Sequence, residues 1–186
     1  MRVWLVVVIV LIQLCGCGSQ PEGVSDAMKL RERYYKSGGC QFQANVSADY
    51  GDCVYIFGMD CRADNVGTLD FTVTEPQTIE GITGSVSDEG GKLTFDDKAV
   101  LYEPLADGQV IPAIAPWLMV RALRSGYIKA VSASGQSRQI TFDDTYQSEN
   151  FQVLIWIDQD GIPQNSEIVW QGRRILTLEL KNFTFV

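Results

Sequence analysis

CQFQANVSADYGDCVYIFGMDC, residues 40–61, decides the fold. Apolar and polar residues alternate on either side of a Tyr50-Gly51-Asp52 turn signal, which is the period of a half-buried strand folded back on itself. Centring the turn on Asp49-Tyr50-Gly51-Asp52 sets Cys40 opposite Cys61, Phe42 opposite Met59, Ala44 opposite Phe57, Val46 opposite Tyr55 and Ala48 opposite Cys53. Every one of those pairs is apolar. The other face pairs Gln41 with Asp60, Gln43 with Gly58, Asn45 with Ile56 and Ser47 with Val54. A slip of one residue would turn the apolar set toward water, so the sorting constrains the register.

The pattern continues outward on both sides. A short loop through Ala63-Asp64-Asn65 predicts a third strand with Met59 near Leu69, Phe57 near Phe71 and Tyr55 near Val73, leaving Asp70, Thr72 and Thr74 outside. Thr78 to Ser87 and Lys92 to Asp97 read as a further hairpin around Asp88-Glu89-Gly90-Gly91, with Gly81 and Gly84 thinning its inner surface and marking a bend. Before the hairpin, Val24 to Tyr35 has helical spacing, with Ser25 or Asp26 as N-cap and Gly38-Gly39 as stop. After it, Val110 to Gly126 returns to helical spacing, opened by Pro112 and Pro116 and carrying Trp117, Leu118 and Leu123. Strands resume at 127–132, 138–143, 151–158, 162–170 and 174–185. The reading is an α+β domain, mainly antiparallel sheet.

Composition narrows the function. The chain has 186 residues, 46% hydrophobic and 20% charged, which suits one globular domain with a substantial core. Fifteen basic against 23 acidic residues give a net charge of -8, which repels nucleic acid. Histidine is absent, removing Ser-His-Asp and Cys-His catalysis and histidine-ligated metals. Asp96-Asp97, Asp143-Asp144 and Asp158-Gln159-Asp160-Gly161 read as turn and surface residues: neighbouring carboxylates on a strand point to opposite faces, and the last segment lacks the distal glutamate of a calcium loop. No catalytic constellation, metal site or cofactor motif is found, so the expectation is a protein that is not an enzyme and carries no cofactor.

The N-terminus is an address. Met1-Arg2 followed by an apolar run to Leu14 has the form of a signal peptide and is too short for a transmembrane helix of about 20 residues. Leu14-Cys15-Gly16-Cys17 resembles a bacterial lipobox, which implies cleavage before Cys17 and lipidation of its sulfur with palmitate-type acyl chains. Two chains suffice for stable anchoring where one does not. The organisation is thus residues 1–16 signal peptide, 17–25 lipidated cysteine and tether, and 26–186 a single domain, held extracytoplasmically at the cell membrane.

Three cysteines remain beyond the signal. In the derived register Cys40 and Cys61 face each other, and a bridge between them would close the hairpin and add about 3 kcal/mol on the chain-entropy model. Cys53 takes part instead if the register differs, and three free thiols are the other alternative. The apolar face of Phe42, Tyr55, Phe57, Met59, Leu69, Phe71 and Val73, with Trp117 and Leu118 on the helix above it, is either a packed core or a hydrophobic groove.

The order of these features, with PQNSEIVWQGRRILTLELKNF at 163–183, ITGSVS at 82–87 and GKLTF at 91–95, is similar to the LolA-like superfamily of lipoprotein carriers and lipid-binding lipoproteins, in its clostridial branch, which includes the germination lipoprotein of spore-formers. The resemblance implies a strongly curved, unclosed half-barrel sheet with helices covering its concave face, accepting acyl chains and doing no chemistry. The expected function is a membrane-anchored lipoprotein binding a lipid or other hydrophobic ligand in that groove. The alternative is a protein-interaction module on the same scaffold, serving envelope assembly or spore germination and docking an envelope or spore-cortex protein.

Overall fold

The computed structural model describes residues 23–106, 109–146 and 149–186, so the lipobox and Cys17 lie outside the described residues. The chain's alternating segments become β1 (Gly39–Asp49), β2 (Val54–Asp64), β3 (Leu69–Glu75), β4 (Thr83–Ser87), β5 (Gly90–Phe95) and β6 (Lys98–Tyr102), then β9 (Tyr127–Ser134), β10 (Ser137–Tyr146), β11 (Glu149–Ile157), β12 (Pro163–Trp170) and β13 (Arg173–Phe185). Between these halves, β7 (Leu105–Ala106) and β8 (Gln109–Val110) make a small separate ribbon. The eleven longer strands form a single antiparallel sheet in the order β6-β5-β4-β3-β2-β1-β13-β12-β11-β10-β9, with β6 and β9 as free edges. The expected mainly antiparallel, unclosed sheet with two helices is what the structure shows.

Helix α1 (Val24–Ser37) buries Ala27, Leu30 and Tyr34, and it ends where Gly38 takes the left-handed conformation. Its N-cap is Gly23, just ahead of the serine and aspartate favoured by the sequence. The second helical segment opens as a single 3-10 turn at Pro112–Ile114 and becomes α2 (Ala115–Ser125), with the two prolines at the starts, where a missing N–H costs nothing. Eight of the residues in α2, Trp117, Leu118 and Leu123 among them, are buried. A helix apolar nearly all round fills a concavity. Here α2 meets β2, β10, β11, β12, β13 and α1. No helix of the described residues is long and apolar enough to cross a membrane.

The faces of the first hairpin are those read from its alternation: Cys40, Phe42, Ala44, Val46 and Ala48 are buried while Gln41, Gln43 and Asn45 are exposed. The partners differ. Phe42 lies opposite Cys61, Ala44 opposite Met59, Val46 opposite Phe57, Ala48 opposite Tyr55 and Cys40 opposite Ala63. The turn sits one residue later, with the Tyr50 N–H donating to the Cys53 carbonyl at 3.1 Å and the Asp49 carboxylate accepting from the Gly51 N–H at 2.8 Å. A slip of two residues in the pairing preserves every face, so hydrophobic alternation cannot detect it.

The second hairpin is corrected in the same way. Met59 faces Val73, Cys61 faces Phe71 and Ala63 faces Leu69. Strand β2 runs on to Asp64, whose carboxylate accepts the N–H groups of Val66, Gly67 and Thr68 at 3.0, 2.7 and 2.9 Å and so folds the chain back at once. Residues 78–82 form a turn instead of the start of a strand, and β4 begins only at Thr83. Gly84 does face inward, where the Phe71 ring lies over it: a Cβ there would sit 2.3 Å from the Phe71 Cζ.

The register also bears on the cysteines. Cys40 and Cys61 are diagonal neighbours, not opposite residues, and all three described cysteines are free thiols. The disulfide expected between Cys40 and Cys61 is not formed in this structure, and the directly opposed register from which it was read is corrected. Burial pushes the Cys40 thiol up to about 12 and raises Cys61 further still, with Cys40 and Asp60 adding to the effect. Both are therefore protonated and unreactive at neutral pH. Brief alkylation of the native protein is expected to label exposed Cys53 alone, and denaturation without reductant to expose Cys40 and Cys61 as two further thiols. A denatured domain with a single titratable thiol would restore the bridge.

Candidate functional site

Two large depressions lie on opposite faces of the β1–β6 half. The outer one, about 700 Å³, is floored by Gln41, Gln43, Asp60, Arg62, Thr72, Thr83 and Lys92, the polar row of the alternation. The inner one, about 730 Å³, is apolar. Its floor is the concave sheet face at Tyr55 and Phe57 of β2, Phe71 and Val73 of β3, and Leu93 of β5. Its opposite wall is Val110, Ile111, Pro112 and Ala113, the stretch leading into α2, and its rim carries Ile79, Ile82, Tyr50, Asp52 and Cys53. A concave, mainly apolar site of several hundred cubic ångströms is the usual form of a small-ligand pocket.

Local chain geometry holds these walls in place. The loop after β3 folds onto that strand, with the Val73 N–H donating to the Ile82 carbonyl at 2.8 Å and the Gly81 N–H to the Val73 carbonyl at 2.9 Å. Ile79 and Ile82 are thereby fixed beside the cleft. The Tyr50 hydroxyl donates to the Val110 carbonyl, tying the β1–β2 turn to the opposite wall, and its ring meets Tyr55 edge-on at 6.3 Å. Burial, then the neighbouring Tyr55, pushes the Tyr50 hydroxyl up to about 12, so it remains a donor at any physiological pH.

Helix α2 spans the mouth of the sheet and is held from both sides. Arg121 pairs with Asp88 in the β4–β5 turn at 2.9 Å and with buried Asp144 of β10 at 2.5 Å. Arg124 adds a contact to Asp88 at 3.0 Å and donates to the Val66 carbonyl. From below, Arg31 of α1 donates to the Leu123 carbonyl at 2.8 Å and to those of Ala122 and Gly126, satisfying the C-terminal carbonyls of α2. The Trp117 indole donates to the Gly67 carbonyl at 3.1 Å.

Of the residues anticipated for a groove, Tyr55, Phe57, Phe71 and Val73 are brought together on the cleft floor. Met59 and Leu69 of the sheet and Trp117 and Leu118 of α2 are in the packed core, to which Phe57, Phe71 and Val73 also belong. Phe42 is there too, stacked on Phe183 with ring centroids 5.3 Å apart. The isoleucines of the 76–82 loop and the Val110–Ala113 wall were not anticipated as lining, because the first stretch was read as strand and the second as the start of the helix. Among the described residues no group of three or more His, Cys, Asp or Glu is placed to hold a metal. Asp143 pairs with Lys129 at 3.3 Å, and Asp158 closes its own turn by accepting from Asp160 and Ile162.

Family models and curated proteins provide no match to the chain. Among solved structures, it is similar to an outer membrane lipoprotein-sorting protein domain from Vibrio parahaemolyticus, at 9% identity and a TM-score of 0.50 over 88% of this chain and 92% of that one. A LolA superfamily protein from Nitrosomonas europaea is similar at 10% identity and a TM-score of 0.45 over 86% and 93%. The fold is that of the Vibrio lipoprotein-sorting domain. A conserved protein from Thermus thermophilus is similar at 10% identity and a TM-score of 0.48 over 86% and 87%. These likenesses do not reach the clostridial germination branch. At such identities the likeness extends to the backbone, and the chemistry of the cleft rests on this chain's own side chains.

Proposed function

We propose that this protein is an extracytoplasmic, membrane-anchored lipoprotein that holds a lipid or other hydrophobic ligand in the inner cleft and catalyses no reaction. The observation that carries the reading is the cleft itself. Tyr55, Phe57, Phe71, Val73 and Leu93 of the alternating hairpins line it, although α2 has already filled the rest of the concave face. Phe57, Phe71 and Val73 are buried at its floor, while Tyr55 and Leu93 leave apolar surface open, and open apolar surface in a concavity favours an apolar occupant. Anchoring rests on the lipobox at Leu14 to Cys17. Cys17→Ala is expected to move the protein from the membrane fraction to the soluble extracytoplasmic fraction, and retention at the membrane would remove the anchor from the account.

The cleft is tested by filling it. Leu93→Trp adds an indole to the floor at a partly buried position and is expected to abolish binding of the neutral apolar dye Nile red while leaving the urea midpoint within about 1 kcal/mol of the parent. Unchanged dye binding in a folded Leu93→Trp protein would place the ligand elsewhere.

A docking module is the second reading. Edge strand β6 exposes Val100 and Leu101 on its two faces, and an unpaired apolar edge is the kind of surface a partner strand can extend.

A further inference from the structure

The charges around the cleft speak to the head of the ligand, a step that rests on reading the cleft as the ligand site. Among its lining residues Asp52 is the one side chain charged at neutral pH, and it is exposed at the rim. The segments that build the rim add Glu80 beside Ile79, and Asp96 and Asp97 just beyond Phe95 on the strand that carries Leu93. Asp49, in the same turn as Asp52, is offset by Arg173 at 3.2 Å, and Lys92 belongs to the outer polar depression. Lys98 alone follows the Asp96-Asp97 pair.

A carboxylate or phosphate head drawn to this rim would meet like charge and would find no arginine or lysine in the lining to replace its water. A hydroxylated or cationic head would meet Asp52. We infer that the cleft takes an amphiphile with an apolar tail and a head that bears no negative charge, with Asp52 as the residue that sets this preference.

The test uses the chain with twelve-carbon amphiphiles below their micelle concentrations, each titrated against bound Nile red at neutral pH and low salt. The probes are glycerol monolaurate, dodecyltrimethylammonium and laurate. Laurate is expected to bind at least about fivefold more weakly than glycerol monolaurate, with the gap narrowing in high salt as the rim charges are screened. Asp52→Lys, in an exposed turn, is expected to bring the laurate-to-monolaurate ratio close to one. Laurate binding as tightly as the monoglyceride, or a ratio that Asp52→Lys does not move, would overturn the charge preference and leave the cleft intact. Failure of Nile red and of all three amphiphiles to bind would instead overturn the cleft as a ligand site, and this inference with it.

Discussion

Arg121→Met is expected to destabilise the domain by about 3 kcal/mol in urea unfolding, far more than its two ion pairs would suggest if both were at the surface. The reason is Asp144. Its carboxylate is only 6% exposed and takes the Arg121 guanidinium at 2.5 Å, so removing the cation leaves a buried charge without that partner. The Asp88 contact adds little by itself, because Asp88 is half exposed. Its role is geometric: Asp88 belongs to the β4–β5 turn and Asp144 to β10, so one side chain on α2 ties the two arms of the open sheet together. Adding Asp144→Leu to Arg121→Met is expected to recover most of the loss, since both charges are then gone. A loss below about 1 kcal/mol for the single variant would mean that α2 is held by packing alone. Acid works in the same direction. Burial tends to raise the Asp88 pKa, but hydrogen bonds and charge from Arg121 and Arg124 outweigh it and leave it below the ordinary value of 3.8. Its contribution is therefore full above the ordinary carboxylate range and is lost as the pH falls through the lowered value.

Trp117→Ala is expected to cost about 3 to 5 kcal/mol, the range for deleting a buried tryptophan from a core that collapses incompletely. Trp117 is 1% exposed, donates to the Gly67 carbonyl, and lies under the Arg121 guanidinium at 5.6 Å. The variant separates two roles that the sequence left open for this residue. A core role lowers stability and leaves ligand affinity unchanged in the fraction that stays folded. A groove role would lower affinity with little loss of stability, and that result would contradict the placement of Trp117 in the packed core.

The fold was legible because alternation records which face is buried. Phe42, Ala44 and Val46 are inward and Gln41, Gln43 and Asn45 outward whether the hairpin pairs as expected or two residues further on, so the faces were right and the partners were not. Partners are set by turns, and the deciding interactions were local: the Asp49 carboxylate on Gly51, and the Asp64 carboxylate on three successive N–H groups. The placing of Cys40 opposite Cys61 failed for the same reason, since it depended on a partner and not on a face. Half of the cleft was legible, namely Tyr55, Phe57, Phe71 and Val73. The other half is Ile79 and Ile82, in a segment read as strand that the structure makes a turn, and Val110–Ala113, read as the start of the second helix, so neither stretch was assigned to the cleft. Whether Trp117 packs or lines a groove is a question of volume, and no pattern of residue types measures volume.

The most direct measurement of the central claim is native mass spectrometry, with organic extraction, on the soluble Cys17→Ala protein purified from bacteria without detergent, beside the same protein carrying Leu93→Trp. The account predicts a near-stoichiometric, extractable hydrophobic adduct on the parent protein that is missing from the folded variant. A clean unliganded mass for both, or an adduct retained by the variant, would contradict it.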